Sequence, residues 1–325
     1  MPVVASAHRS AGPVPRWSAT VASTDRFGLG EGPVWDPVRR RVLWVDINAG
    51  RVHEGRLDSD QVVGTTAHAL DRTVGAVACS DAGDLLVAGA HDLLVLTAAG
   101  DRLAGPAILP AGSRRRLNDG KCDPAGRFLI GSLNLGDDSD DGDGSELLVR
   151  VERQGGVTVV DDDLTLSNGL GWSADGTLLY SIDSVPGVVW VRGYDPATGT
   201  VGPRREWLRL PDDTPDGMCV DAEDHLWIAI YGGGQIRRYT PDGRLVGIVE
   251  VPAPRTTCAA FVGPNRDRLL ITTATDGASP DELAQYPDAG RLFLARVGVA
   301  GQPVASWAGP TWPNSSPADR TAVSG

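Results

Sequence analysis

The segment Asp123-Pro124-Ala125-Gly126-Arg127-Phe128-Leu129 joins a tight polar turn to an apolar strand, and related segments recur along the whole chain. Proline fixes φ early in such a turn, and glycine accepts the positive φ that the turn requires later. The last apolar residue of each segment serves as an anchor. The six anchors are Trp44, Leu86, Leu129, Leu179, Trp227 and Leu270, at steps of 42, 43, 50, 48 and 43 residues.

Six units of this length predict an all-β fold, a six-bladed β-propeller, because one blade of four short strands needs about 40–50 residues. The competing architecture, a pair of β-sandwiches, is disfavoured by the even spacing. A propeller must also close its ring, and we expect residues 17–23 to add a strand to the last blade, which holds residues 290–297. The predicted domain covers residues 17–308, between flexible tails of residues 1–16 and 309–325.

The composition excludes several classes of partner. The 325 residues include 41% hydrophobic and 22% charged residues, with a formal net charge of -12. Nucleic-acid binding requires a basic face, which this charge disfavours. The sequence contains neither an apolar run near the roughly 18 residues of a membrane span nor a signal-peptide pattern. We expect a cytoplasmic protein, a monomer or weak dimer, with no nucleic acid or membrane partner.

The four cysteines lack the C-x-x-C spacing of a zinc finger and sit in apolar runs. Buried, reduced thiols are the usual state of such residues in a cytosolic protein. The four are Cys79, Cys122, Cys219 and Cys258.

One position per repeat departs from the apolar pattern. Counting back five residues from the start of each turn gives Glu31, Gly75, Asn118, Asn168, Asp216 and Cys258. Equivalent positions of successive blades surround the propeller axis, so these residues should form a ring. Two carboxylates and two amides, with no basic residue in the ring, predict a bound cation. Oxygen ligands favour Ca²⁺, Mg²⁺ or Mn²⁺, and Zn²⁺ or Fe²⁺ also remain open. Any single Asn-Gly or Asp-Gly pair is also typical of a hairpin turn.

Four segments that contain these ring residues resemble the signatures of the gluconolactonase/regucalcin (senescence marker protein) family. They are Leu29-Gly30-Glu31-Gly32-Pro33-Val34-Trp35-Asp36, Arg116-Leu117-Asn118-Asp119-Gly120-Lys121-Cys122-Asp123-Pro124-Ala125-Gly126, Leu166-Ser167-Asn168-Gly169-Leu170-Gly171-Trp172-Ser173 and Pro215-Asp216-Gly217-Met218-Cys219-Val220-Asp221. The resemblance runs from about residue 17 to residue 307. It implies a six-bladed propeller and a metal-dependent sugar-lactone lactonase. It also implies that Glu31, Asn168 and Asp216 bind one divalent metal ion, and that Arg116, Asn118 and Asp119 bind the substrate.

The chain departs from the family pattern at Gly131-Ser132-Leu133-Asn134-Leu135-Gly136, where many members carry Gly-Thr-Met and then an acidic residue that helps to bind sugar. The acidic loop that follows, residues 137–146, resembles a calcium loop only weakly, because position 12 would be Leu148 instead of glutamate. A solvated surface loop fits this segment better. The departure leaves the identity of the aldonolactone open.

The expected reaction is metal-dependent hydrolysis of a sugar (aldono) lactone to the aldonic acid. Asp216 is the first candidate for the general base, and Glu31 is the second. Arg116, at the rim of the site, would hold the substituents of the lactone ring. A serine hydrolase is disfavoured because no G-x-S-x-G motif occurs. Two alternatives stay open: a metal-dependent hydrolase of other esters or organophosphates, and a non-enzymatic calcium-binding regulatory protein.

Overall fold

A computed structural model of the chain describes residues 13–136 and 144–311. Most of the predicted N-terminal tail (residues 1–12), most of the predicted C-terminal tail (residues 312–325) and residues 137–143 of the acidic loop lie outside the described residues. The described residues form 25 strands and one short helix, α1 (Pro280–Gln285). No helix in this part of the chain is long and apolar enough to cross a membrane.

The strands are β1 (Arg16–Ser18), β2 (Thr20–Val21), β3 (Gly30–Asp36), β4 (Arg41–Asp46), β5 (Arg51–Asp58), β6 (Gln61–Ala69), β7 (Ala76–Cys79), β8 (Leu85–Ala88), β9 (Asp92–Leu96), β10 (Arg102–Ala107), β11 (Arg115–Cys122), β12 (Phe128–Asn134), β13 (Glu146–Val151), β14 (Val157–Leu164), β15 (Ser167–Trp172), β16 (Leu178–Asp183), β17 (Val188–Gly193), β18 (Arg205–Arg209), β19 (Thr214–Val220), β20 (Leu226–Tyr231), β21 (Gln235–Tyr239), β22 (Leu245–Glu250), β23 (Thr256–Val262), β24 (Arg268–Thr273) and β25 (Phe293–Ala295).

The strands form six separate sheets, which confirms the predicted six-bladed β-propeller. The first five blades each hold four consecutive antiparallel strands: β3–β6, β7–β10, β11–β14, β15–β18 and β19–β22. The sixth holds β23, β24, β25 and β2. The first strand of each blade contacts the first strand of the next, and β23 contacts β3. These six inner strands therefore surround the axis.

The N-terminal segment closes the ring, as predicted for residues 17–23. Strand β2 pairs antiparallel with β25, and the Ala22 N–H donates to Leu292 O at 2.7 Å. Strand β1 also pairs in parallel with β22 of the fifth blade, and the Trp17 ring lies 5.8 Å from that of Trp227. One short segment thus joins the last two blades.

The recurring turn is stabilised by its aspartate. Asp123 Oδ1 accepts from the N–H groups of Ala125 and Arg127, both at 2.9 Å, and Asp123 Oδ2 accepts from Arg127 Nε. Gly126 adopts φ 80°, a region that L side chains rarely enter. A buried aspartate thus satisfies the turn and pairs with arginine. The same pairing joins Asp36 to Arg41 and Asp221 to Arg238.

The hydrophobic core lies between neighbouring blades. One cluster, for example, joins Leu86 and Val95 of the second blade to Leu117 and Phe128 of the third. Burial of these side chains contributes about 1.5–3 kcal/mol each. Packing between blades therefore holds the inner strands at fixed distances around the axis.

Candidate metal and active site

The ring residues occupy irregular points of the inner strands. In five of the six blades, a shift of register interrupts the pairing of the inner strand with the second strand at the ring position or directly beside it. The shifts lie at Glu31/Val34, Leu117/Gly120, Asn168/Leu170, Pro215/Met218 and Thr256/Cys258. Strand β7 pairs without a shift, and the ring residue of this blade, Gly75, directly precedes the strand. A bulge redirects side chains and is common beside active sites. The Asn-Gly and Asp-Gly pairs are therefore parts of bulged strands, and the hairpin-turn interpretation is wrong here.

Glycines at or next to the ring positions let the inner strands approach one another closely. A Cβ added at Gly169 would lie 2.7 Å from Asp216 O, and one at Gly75 would lie 2.4 Å from Asn118 O. A Cβ at Gly217 would lie 2.3 Å from Cys258 Sγ. Side chains at these positions would push the strands apart. The glycines therefore keep residues of successive blades together.

Hydrogen bonds orient the two ring amides. Asn118 Nδ2 donates to Asn168 Oδ1 at 3.1 Å and to Ser167 O at 3.0 Å. Asn168 Nδ2 in turn donates to Ser184 Oγ at 3.0 Å. Asn118 Oδ1 accepts from Arg116 at 2.8 Å. Because an amide oxygen accepts two hydrogen bonds, Asn168 Oδ1 keeps a lone pair for a further partner.

Three carboxyl groups meet at this site, on Glu31, Asp119 and Asp216. Burial raises the pKa of each. The charges of Asp216 and Asp119 raise the pKa of Glu31 further, and that of Asp119 raises the pKa of Asp216. A cation would relieve this repulsion, and the oxygen-only donor set of carboxylates and amides fits a hard divalent ion.

Arg116 lies inside the site, whereas the sequence predicted a position at its rim. It is only 6% exposed, and burial lowers its pKa to about 10 despite attraction to Glu31 and Asp216. Its Nη1 donates to Leu117 O and to Asn118, whereas its Nε has no hydrogen-bond partner among the described residues. Arg116 thus offsets part of the negative charge and has one buried N–H group without a partner among the described residues.

An axial cavity of about 430 Å³ lies beside the ring. Asp119 and Lys121 line it, and residues 301–305 border it. All four cysteines also line it and are free and buried, which confirms the prediction of buried, unpaired thiols. Three of them follow a ring residue by three or four positions, and Cys258 is itself a ring residue. That spacing is the signal that places them along the channel.

Several polar residues near the ring come from loops outside the repeat. Asp276 attracts the Arg116 guanidinium and accepts from Asn48 Nδ2 at 2.7 Å. Tyr231 ends β20 at the same end of the blade, and its hydroxyl accepts from Arg255 at 3.1 Å. The repeat register carries no information about these loops, so sequence reasoning missed Asp276, Asn48 and Arg255.

Among the described residues, one other group has metal-ligating atoms within 4.8 Å of one another: Asp221, Glu223 and His225. The Asp221 carboxylate already accepts from Arg238 at 2.7 and 2.9 Å and from Trp227 Nε1 at 2.9 Å. It also accepts from two backbone N–H groups. Five donors leave it little capacity for a metal ion, so this group is a turn of the kind described above.

Comparison with known proteins gives one consistent family. The model of the SMP-30/gluconolactonase/LRE-like region matches residues 29–275. Regucalcin of Gallus gallus is 33% identical over 300 residues, covering 88% of this chain and 97% of its own length. A pentonolactonase of Haloferax volcanii is 34% identical over 284 residues, covering 85% of this chain and 93% of its own length. The crystal structure of regucalcin from Agrobacterium tumefaciens, a calcium-binding protein, is 28% identical with a TM-score of 0.84, covering 91% of this chain and 99% of that chain.

Proposed function

Because this chain belongs to the SMP-30/gluconolactonase/LRE-like family, we propose that it is a lactonase, a carboxylic ester hydrolase, and that its substrate is a sugar (aldono) lactone. The observation that carries the proposal is the convergence of buried carboxylates and amides from different blades. Glu31, Asn168 and Asp216 are 6%, 6% and 9% exposed. Such groups add nothing to a hydrophobic core and are costly to bury unless they are paired or bind a cation.

The same three residues are our proposed ligands of one divalent metal ion, from the set Ca²⁺, Zn²⁺, Mn²⁺, Mg²⁺ and Fe²⁺. Carboxylate and amide oxygens are the ligands that hard cations prefer. A divalent ion held there supplies polarisation of the ester carbonyl. The raised pKa values of Glu31 and Asp216 support this assignment, because burial and the neighbouring carboxylates make the charged forms unfavourable, and a bound cation would offset both effects.

Asp216 is the proposed general base. It takes a proton from the water whose oxygen attacks the lactone carbonyl carbon. The C–O bond of the lactone ring then breaks, and Asp216 returns the proton to the leaving oxygen, which becomes a hydroxyl group. The product is the open-chain hydroxy acid. The proposed substrate-binding residues are Arg116, Asn118 and Asp119. Among them, Arg116 Nε has a buried N–H group with no partner among the described residues, and we propose that it donates a hydrogen bond to the substrate.

The test is an initial-rate assay of glucono-, xylono-, arabinono- and galactonolactone with metal-depleted protein to which each candidate ion is added. Asp216→Asn is expected to lower kcat/KM about 10²- to 10⁴-fold, the usual contribution of a general base. Asp213→Asn is the matched control, because this carboxylate lies three residues away and pairs with Arg237. Absence of turnover with every lactone and every ion would refute the proposal.

A second candidate is a calcium-binding regulatory protein, which the likeness to the calcium-binding Agrobacterium protein supports. It predicts calcium binding without hydrolysis in the same assay.

We further propose a cytoplasmic location, because all four cysteines are free. The expected monomer or weak dimer is checked by sedimentation of the same preparation.

A further inference from the structure

Lys121 is the only lysine among the 30 lysine and arginine residues of the sequence. Lys121 lines the axial cavity. All the other residues in this count are arginines. An ammonium group is a compact donor with three rotatable N–H bonds, and a guanidinium group is planar and larger. The one lysine therefore places a compact cation inside the channel.

The Lys121 amine connects three blades. Lys121 lies on β11, and its Nζ donates to Leu170 O on β15 at 2.8 Å and to Met218 O on β19 at 2.6 Å. One amine reaches both carbonyls because these strands approach closely. A Cβ added at Gly171 would lie 2.8 Å from Val220 Cγ2 of β19.

The two carbonyls belong to the strands that carry the proposed metal ligands. Leu170 and Met218 each follow a ligand, Asn168 and Asp216, by two residues. The pairing within the blade is interrupted directly after Asn168 and at Asp216, so regular sheet pairing does not continue across either position. The amine of Lys121 bonds to both strands immediately after the interruption.

Lys121 also acts on the charge of the site. Asp119 precedes it by two residues, and both residues line the axial cavity. The ammonium lowers the pKa of Asp119, which opposes the effect of burial. The same cation therefore bridges the strands and stabilises a carboxylate beside the ring.

We propose that Lys121 is a positioning residue that sets the separation of Asn168 and Asp216 and thereby the affinity of the ring for a divalent ion. It acts through Leu170 O and Met218 O and touches neither metal nor substrate. This inference rests on the proposed function, because it assumes that the ring binds a metal ion.

The first experiment measures the Kd of Ca²⁺ and of Mn²⁺ by calorimetry, together with kcat and KM. Lys121→Met keeps a chain of similar length and removes both hydrogen bonds. We expect Kd to weaken about 10- to 100-fold, as for partners that orient metal ligands, with a matching loss in kcat/KM. Arg238→Met is the control, because it removes a partly buried cation that bonds to Asp221, away from the ring. It should lower stability and leave both Kd values unchanged.

The second experiment uses the wild-type protein and stays informative if Lys121→Met fails to fold. Lysine labelled with ¹³C at Cε gives one lysine signal, because the sequence has one lysine. Addition of Ca²⁺ is expected to shift this signal with the Kd found by calorimetry, since the ion draws the two bridged strands together. A signal that does not move while Ca²⁺ binds would overturn the inference.

The outcomes separate the two proposals. If the wild-type protein bound neither ion and opened no lactone, the proposed function would fail. If the wild-type protein bound and turned over normally, and a folded Lys121→Met variant kept its Kd and kcat/KM, only the positioning role of Lys121 would fail. A loss in Lys121→Met that Arg238→Met shares equally would also contradict it, because a general loss of stability would then suffice.

Discussion

Substitution of Gly169 by alanine tests how tightly strand spacing controls the proposed metal site. The new Cβ would lie 2.5 Å from Ile182 Cδ1, the mobile end of a side chain, and 2.7 Å from Asp216 O, which is backbone. The isoleucine tip is the far end of a flexible side chain, so it shifts at a lower cost than backbone. The backbone of β19 must instead retreat by about 0.7 Å to reach the 3.4 Å of ordinary van der Waals contact.

That displacement exceeds what a metal site tolerates, because ligand distances must hold to within about 0.2 Å. Overpacking of this kind costs about 1–3 kcal/mol. If metal binding has to restore the original spacing of Asn168 and Asp216, the same energy weakens Kd about 5- to 150-fold. The melting temperature should fall by roughly 2 °C per kcal/mol for a domain of this size.

Calorimetric titration with Ca²⁺ and thermal unfolding with and without the ion provide the measurements. Gly193→Ala is the matched control, because Gly193 lies in the same blade and a Cβ there meets nothing within 4 Å. It should match the wild-type protein in both assays. A Gly169→Ala protein that binds Ca²⁺ with the wild-type Kd would refute the reasoning that close strand approach sets the site.

Three further predictions concern charge, the second acidic cluster and ring closure. In metal-free protein, Asp216→Asn should raise the melting temperature relative to wild type, more at about pH 8 than at about pH 5. The raised pKa of the buried carboxyl means that stability is lost as pH rises from the ordinary carboxyl range through the folded-state pKa. A variant less stable than wild type throughout this range would contradict it. Asp221→Asn should cost about 3–5 kcal/mol by breaking the buried pair with Arg238 and should leave the Ca²⁺ affinity intact, whereas a loss of affinity would make that cluster a metal site. Ala22→Pro removes the N–H that bonds to Leu292 O and should destabilise the fold by at least about 1 kcal/mol, as unfolding in urea would show; an unchanged midpoint would exclude this bond as a closure element.

The fold was predictable because a polar turn followed by an apolar strand recurs six times. Asp36, Asp123 and Asp221 accept from N–H groups of their own turns and pair with arginine. In two further repeats, Ser80 and Ser173 accept from N–H groups of the turn. Counting from these turns also gave the ring positions, since residues at equivalent points of the inner strands lie around one axis. A register count needs no knowledge of loops or side-chain directions, which is why it succeeded.

Side-chain direction and loop contacts were not predictable from that count. The bulges break the alternation of faces along the inner strands, so the spacing alone did not reveal that Arg116 is buried beside Asn118. The donation from Lys121 to two carbonyls of other blades depends on tertiary packing and leaves no local pattern. Asp276 and α1 belong to a segment between β24 and β25 that has no counterpart in the repeat.

The pairing of β2 with β25 has a consequence for biosynthesis. Because the sixth blade combines β2 with β23, β24 and β25, the ribosome must add more than 270 residues after β2 before that sheet can be completed. Until then the nascent chain carries an unpaired strand edge, the kind of surface that promotes aggregation. Contacts between residues more than 270 positions apart also slow folding, because a long loop must close first. Production of this protein should therefore depend on chaperone capacity and translation rate more than its stability alone would suggest.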